Sequence, residues 1–388
     1  VSLKDHKKHT AMIRPVLGNF GRNEWAIVGA PCGDIKALAE QIITALSATA
    51  KIAYVDAQHS DEPEALPGRL TAGACVEYTE KEGQQQLNYK GILNAYQNQP
   101  FFNDCDLILL NGNHHQAKRQ VVIIDNKKKA SLQKRVDQLT DVRLFLLADG
   151  ETEIFDFVKA AIPGHQQIPG YRLTETDKII QFFNNELQQS KPRLNGLILA
   201  GGKSERMGQD KGAINWHQKE QRYYMADLLK NYTDNVYISC RADQQPDIDP
   251  DYQTLTDTFI GLGPYGAILS AFRELPEKAW LVLACDLPLL DKDTLDFLIA
   301  HRDPSAIATS FQNAFDGFPE PLITIWEPKS YAVLLSFLAR GYYCPRKVLI
   351  NSDTKILQAP NPDALTNVNT PGERERVQSI LQHKTVSA

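Results

Sequence analysis

The chain has little of what staples or anchors a protein: six cysteines and three methionines in 388 residues, and no C-x-x-C pair. The cysteines (Cys32, Cys75, Cys105, Cys240, Cys285, Cys344) are too scattered for a zinc knuckle or a disulfide framework. They read as reduced thiols, and with no apolar leader at the start of the sequence the expected compartment is the cytoplasm. No apolar run reaches the roughly 18 to 20 residues that a bilayer span needs, so no membrane partner is expected. Excess positive charge is missing too, since 42 Lys and Arg stand against 47 Asp and Glu for a formal charge of −5. A phosphate polymer would meet no global attraction, which argues against nucleic acid as a partner and leaves local pockets as the places for phosphate. Short repeats and low-complexity tracts are absent.

What is present is length for two cores and a steady alternation of short β-branched or Leu-rich runs with longer amphipathic stretches. That alternation predicts an α/β fold, with two Rossmann-like α/β domains built on mostly parallel sheets. Strands are expected at 25–28, 51–55, 107–110, 121–124 and 142–147, with a helix at 35–48. In the second half they are expected at 194–200, 236–239, 280–284, 306–309 and 322–325. The polar, Gln-rich stretch 184–193 is the natural linker, which divides the chain into 1–189 and 190–388.

The strand ending in Leu199 and Ala200 runs into Gly201-Gly202-Lys203-Ser204-Glu205-Arg206-Met207-Gly208-Gln209-Asp210-Lys211. Glycines after a buried strand let the backbone turn sharply and aim successive N–H groups at one spot, a concavity suited to phosphate oxygens. Arg206 and Lys211 bring cations to it. The string has neither the G-x-G-x-x-G spacing of a dinucleotide site nor the GK[ST] ending of a kinase-type phosphate loop.

LAGGKSERMGQDKG resembles the signature of the molybdenum cofactor guanylyltransferase family. The resemblance continues in order through Asp257 ahead of Gly263-Pro264-Tyr265-Gly266, then Cys285-Asp286-Leu287-Pro288, then Thr366-Asn367-Val368-Asn369-Thr370-Pro371, covering nearly all of 194–383. It implies a nucleotide-diphospho-sugar-transferase-like fold that moves GMP from GTP to the phosphate of molybdopterin, the organic part of the molybdenum cofactor, and releases pyrophosphate. Mg²⁺ is the implied cofactor, and cofactor carriers or molybdoenzymes are further possible partners.

By the same resemblance Lys211 would lie against the α-phosphate and Arg206 against the β and γ oxygens. Lys203 reads as a solvated surface lysine. Asp286, following a parallel strand, would hold the metal, where a hard oxygen ligand suits Mg²⁺. Asp257 would meet the guanine base or ribose, with Leu199, Ala200, Gly201, Gly202 and Gly263 lining the nucleotide. Asn367, Asn369, Glu320 and Arg346 fall on the acceptor side, and Asn369 is open between metal ligand and acceptor contact. Where the family often has an asparagine, this chain reads Ile238-Ser239-Cys240-Arg241, so Ser239 or Arg241 would take over that contact. Thr370, Pro371 and Glu373 form the start signal of a last helix.

In the first half, Trp25 to Lys36 has the strand, loop and helix of a phosphate-loop protein without its residues. With Gly29 as the first position of G-x-x-x-x-G-K-[ST], Asp34, Ile35 and Lys36 fill the last three. Asp106 to Gly112 resembles the D-L-x-L-x-E-G element of the GTP-binding partner protein of the same pathway, with Asn111 in the acidic place. A degenerate phosphate-loop domain is expected, with His114 and His115 as surface histidines and Asp56 to His59 without assignment. Two rival readings stand: a transferase using CTP or a phosphosugar acceptor, and a nucleotide-sensing scaffold.

Overall fold

The computed structural model describes residues 18–57, 68–201, 211–314, 316–368 and 370–386, and the chain divides into two compact units, Val1–Ser190 and Lys191–Ala388.

The first unit runs β1 (Glu24–Val28), α1 (Cys32–Leu46), β2 (Ile52–Val55), β3 (Val76–Lys81), β4 (Gln84–Tyr89), α2 (Ala95–Phe102), β5 (Leu107–Asn111), β6 (Arg119–Ile124), α3 (Lys129–Gln133), β7 (Val142–Leu147), α4 (Asp156–Ala161), β8 (Gly170–Arg172) and α5 (Thr176–Gln189). Its main sheet has the order β2-β5-β1-β6-β7-β8 with every pairing parallel. The central strands EWAIV and LILLN are buried at every position, as strands covered on both faces must be. The hairpin β3–β4 stands apart from this sheet, and its polar sequence gave no strand signal.

The first helix departs from expectation in a way that matters. It starts at Cys32 rather than at 35, because Pro31 caps it and the N–H groups of Asp34 and Ile35 already bond the Pro31 carbonyl at 3.0 and 3.1 Å. The turn before it needs glycine: Gly29 has φ +97°, and a Cβ there would lie 2.2 Å from the Ile123 carbonyl oxygen. Only Gly29, Ala30 and Pro31 connect strand to helix, so the latter half of the phosphate-loop frame is helical. The three-residue turn after β1 is therefore not the open loop that cradles phosphate.

The second unit continues with β9 (Leu194–Leu199), α6 (Gln221–Leu229), β10 (Val236–Cys240), β11 (Gln253–Thr256), α7 (Pro264–Glu274), β12 (Ala279–Ala284), α8 (Lys292–Ala300), β13 (Ala308–Gln312), β14 (Pro319–Trp326), α9 (Ser330–Leu338), α10 (Pro345–Ile350), β15 (Thr354–Leu357) and α11 (Pro371–Val386). Its sheet order is β11-β10-β9-β12-β14-β13-β15, and β14 alone of the seven strands runs antiparallel to its neighbours. The strand expected at 306–309 begins later, as β13. Two edge strands, QTLT and TKIL, were not expected, since four residues of mixed polarity carry no clear period.

Both faces of this sheet are covered. Leu194, Ile198, Leu281 and Leu283 pack with Met225 and Leu229 of α6 and Leu295 and Leu298 of α8. Leu197, Trp280 and Val282 pack with Ile268, Leu269 and Phe272 of α7. From β9 the chain moves outward to β10 and β11, then returns to β12 on the other side. The crevice at the carboxyl ends of β9 and β12 is therefore the topological switch point, where open α/β sheets bind ligands. No described helix is long and apolar enough to cross a membrane.

Candidate active site

Register brings the proposed nucleotide residues to one edge. Leu199 is opposite Ala284 on one side and Ser239 on the other, so Ala200 and Gly201, Asp286, and Arg241 all emerge at the same end of the sheet. Asp257 follows β11 there, its N–H bonded to the Cys240 carbonyl at 3.0 Å. Its carboxylate accepts a hydrogen bond from Ser239 Oγ at 2.6 Å. Burial raises the Asp257 carboxyl above its ordinary value, with the Ser239 bond and Arg241 opposing that rise.

Arg241 closes the group. Its Nη1 donates to the Gly201 carbonyl at 2.7 Å, while Nε and Nη2 grip both carboxylate oxygens of Asp243 at 3.0 and 3.1 Å. Ser239 and Arg241 thus hold Asp257 and the root of the glycine loop. A Cβ on Gly201 would come 3.3 Å from Asp257 Oδ2, so the glycine lets loop and carboxylate approach closely. Gly202, Lys203, Arg206 and Asn369 lie outside the described residues, and of Lys211 only the backbone is described, opening the 3₁₀ turn Lys211–Ala213.

The loop from Asp257 to Gly263 is tied to α7. Gly263 has φ +57° as the residue before the helix, and Pro264 takes the first helical place. Ser270 Oγ receives the N–H groups of Thr258 at 2.8 Å and Phe259 at 3.3 Å. Sequence reasoning missed Ser270, although a single serine in the apolar run PYGAILSAF was its signal. Gly266 is needed by packing: a Cβ there would sit 2.2 Å from the Phe259 main-chain oxygen. Gly266→Ala is expected to cost about 1–3 kcal/mol and to raise the Michaelis constant for nucleotide through the displaced loop. An unchanged thermal melt and Michaelis constant would show that the loop accommodates the methyl group.

On the other flank, the backbone carbonyl of Asp286 accepts from Val368 N–H at 2.9 Å, placing Asn367 beside the Cys285–Pro288 turn. Leu289, Val368 and Val377 share an apolar cluster with Trp216, and His217 Nε2 lies 3.0 Å from the Pro288 carbonyl. The stretch that follows Lys211 is therefore packed against the turn that carries Asp286. Burial lowers the His217 pKa, with the Pro288 carbonyl opposing. The last helix has its capping box, with Thr370 N donating to Glu373 Oε2 at 2.9 Å and Glu373 N to Thr370 Oγ1 at 3.3 Å.

Glu320 opens the antiparallel β14 and so lies at the same end of the sheet as Asp286. It is 1% exposed. Arg346 Nη2 donates to it at 3.3 Å and Arg346 Nη1 to Asp316 at 2.8 Å, while Asn313 Nδ2 donates to Glu320 at 3.1 Å. The structure brings Glu320 and Arg346 together as an ion pair, in which the guanidinium is engaged by two carboxylates. Among the described residues no group of three or more His, Cys, Asp or Glu is arranged to hold a metal by itself.

A sheet with one reversed strand, with Gly201, Asp257 and Asp286 brought to its switch point, is matched by a defined class: residues 196–354 match the family of the MobA-like NTP transferase domain. The C-terminal unit carries this MobA-like NTP transferase domain. The chain is 33% identical over 200 residues to the molybdenum cofactor biosynthesis bifunctional protein of Synechocystis, a match spanning 51% of this chain and 58% of that protein. It is 29% identical over 191 residues to the molybdenum cofactor guanylyltransferase of Pseudomonas putida, spanning 47% of this chain and 94% of that one. Among solved structures, the MobB protein homolog of Bacillus stearothermophilus has TM-score 0.31 at 18% identity, covering 43% of this chain and 99% of its own.

Proposed function

We propose that the C-terminal unit transfers GMP from GTP to the phosphate of molybdopterin, forming molybdopterin guanine dinucleotide and releasing pyrophosphate. The observation that carries this reading is the convergence of Gly201, Asp257 and Asp286 at the switch point of a MobA-like NTP transferase domain. The guanylyltransferase relative supports guanosine as the nucleotide.

The reaction is an in-line displacement at the α-phosphorus, so the protein must orient a triphosphate and an attacking phosphate oxygen. Lys211 is assigned to the α-phosphate and Arg206 to the β and γ oxygens, with Leu199, Ala200, Gly201, Gly202 and Gly263 lining the nucleotide. Glu320, Arg346 and the Asn367–Asn369 segment are assigned to the acceptor side. The oxygen donors fit a hard divalent cation. Asp286 offers a carboxylate, and beside it Asn367 has a buried Oδ1 with no hydrogen-bond partner. Mg²⁺ held there would neutralise charge on the triphosphate.

Asp257 is assigned to guanine, whose N1–H and exocyclic amine pair with a carboxylate and leave adenine mismatched. The pH dependence follows. Because burial raises this carboxyl, falling pH protonates it early, so the Michaelis constant for GTP should climb on an acid limb above the ordinary Asp value of 3.8. The stability term has the opposite sign: a raised carboxyl stabilises the fold at acid pH and loses that contribution as pH rises through the folded value. In Asp257→Asn the acid limb should vanish, and a limb that persists would remove Asp257 from base recognition.

The direct test is product formation by the purified chain with Mg²⁺ and molybdopterin, offered GTP, CTP and ATP separately. Dinucleotide from GTP alone is expected. Product from CTP alone would keep the chemistry and change the base, and no product from any of the three would overturn the proposal.

A further inference from the structure

The first unit carries a cluster that the nucleotidyltransferase reading does not use. At the carboxyl end of β1, Cys32 opens the 15-residue α1 where a phosphate loop would be open. Its Sγ lies 3.3 Å from His114 Nε2, and Asn113 Nδ2 approaches the same sulfur at 3.7 Å while donating to the Ala30 carbonyl at 2.9 Å. His114 Nε2 is also 3.9 Å from Asp56 Oδ1, with the two side chains 15% and 14% exposed. Tyr54 donates to Asp56 Oδ2 at 2.9 Å, and Lys36 Nζ is 3.5 Å from that oxygen. The adjacent histidines are thus not a surface pair: they sit in a turn after β5, and His114 points back to α1.

A second feature points into the same place. Asn111 is fully buried, and its Oδ1 accepts from Asn113 N–H at 3.1 Å. Its Nδ2 is buried and turned toward Asp56, whose carboxyl it helps to hold down, short of full hydrogen-bond geometry. A buried amide donor not fully engaged, next to the carboxylate that faces the His114 imidazole, is a place for an incoming oxygen.

We infer that Cys32 is a nucleophilic thiol, served by His114 as its base, for a small uncharged electrophile of the hydroperoxide class. In the tautomer with Nε2 unprotonated, the imidazole accepts the S–H proton. Sulfur then attacks one peroxide oxygen; the S–O bond forms as the O–O bond breaks. The sulfur is oxidised by two electrons to a sulfenic acid, and the departing oxygen, reduced, takes the proton back from His114. With hydrogen peroxide the balance is thiol plus peroxide to sulfenic acid plus water.

Charge selects against anionic electrophiles. Asp34 stands in the first turn of α1, and Asp56 stays ionised: burial pushes its carboxyl up, but Tyr54, the Ala57 N–H, Lys36 and Asn111 more than offset that. Acyl phosphates and carboxylates would be repelled, whereas a neutral peroxide is admitted.

The test treats the full chain with hydrogen peroxide at neutral pH, traps sulfenic acid with dimedone, and reads each cysteine by peptide mass spectrometry. Cys32 should label at least about tenfold faster than Cys75 and Cys344, the two exposed thiols. His114→Gln should remove that excess. Labelling of Cys32 no faster than Cys75, or an excess that survives His114→Gln, would overturn the inference; should that variant not fold, the comparison among cysteines in the parent chain decides alone. Fast alkylation of Cys32 by iodoacetamide without peroxide labelling would overturn the hydroperoxide assignment.

Discussion

Asp286→Ala is expected to lower turnover about 10³-fold, about 4 kcal/mol in the barrier, while leaving the melt of the protein close to that of the parent. The separation of the two effects follows from how Asp286 is built in. Its structural tie to the Asn367 segment runs through its own main-chain carbonyl and the Val368 N–H, which alanine keeps. Its side chain is only partly buried at the edge of the crevice, after a strand whose six residues are all buried and supply the packing. A carboxylate placed there offers charge to a metal and little to the core. Asp286→Asn, which keeps the shape and loses the charge, should be nearly as inactive. Turnover within a few-fold of the parent in either variant would remove Asp286 from the chemistry, whereas a collapsed melt would make it a folding residue.

The largest effect on stability should come from Arg302→Ala. Glu327, at the end of β14, is 0% exposed. Arg302 grips it through Nε at 2.6 Å and Nη2 at 2.8 Å, and the same Nη2 reaches the Pro192 carbonyl at 2.8 Å. Burial raises the Glu327 carboxyl, and Arg302 is the main influence lowering it. Removing the guanidinium leaves a buried carboxylate without its counter-charge, at about 3–5 kcal/mol and roughly 10 °C in melting temperature. The deficit should grow with pH. Below the ordinary carboxyl range Glu327 is neutral in both states and little is lost; as pH rises through its folded value, the raised group must either ionise unpaired or hold its proton against solvent. Replacing both residues by Met should recover most of the loss, since an apolar pair removes the uncompensated charge. A single variant that melts with the parent at neutral pH would show that solvent reaches Glu327.

Of the candidate-site residues, those legible in the sequence were the ones whose chemistry is local. Gly201 and Gly263 follow or precede regular elements where the chain turns, Gly266 stands in the first turn of α7, and the Thr370–Glu373 cap is a four-residue pattern. Asp286 was legible because a carboxylate directly after a buried parallel strand lands at the ligand edge. Ser270, and the pairing of Glu320 and Arg346 with each other and with Asn313 and Asp316, were not, because their partners lie 7 to 30 residues away in sequence. Ser239 or Arg241 was expected to contact the nucleotide, and in the structure Arg241 holds the Gly201 carbonyl.

In the first unit the sequence determined that a phosphate loop was no longer intact, since an aspartate stands where the glycine ahead of the phosphate-binding lysine belongs. Only the tertiary structure decided what became of the site. Helix α1 begins at Cys32 because Pro31 can cap it, and β5 delivers His114 while β2 delivers Tyr54 and Asp56 to the same spot, from positions 22 to 82 residues away. The same division holds in the second unit. Strand composition determined two α/β cores and the order of their motifs, because burial on both faces demands continuous apolar runs. The reversal of β14, which carries Glu320 to the edge where Asp286 ends its strand, was decided by pairing between strands, because an apolar run has the same composition in either direction.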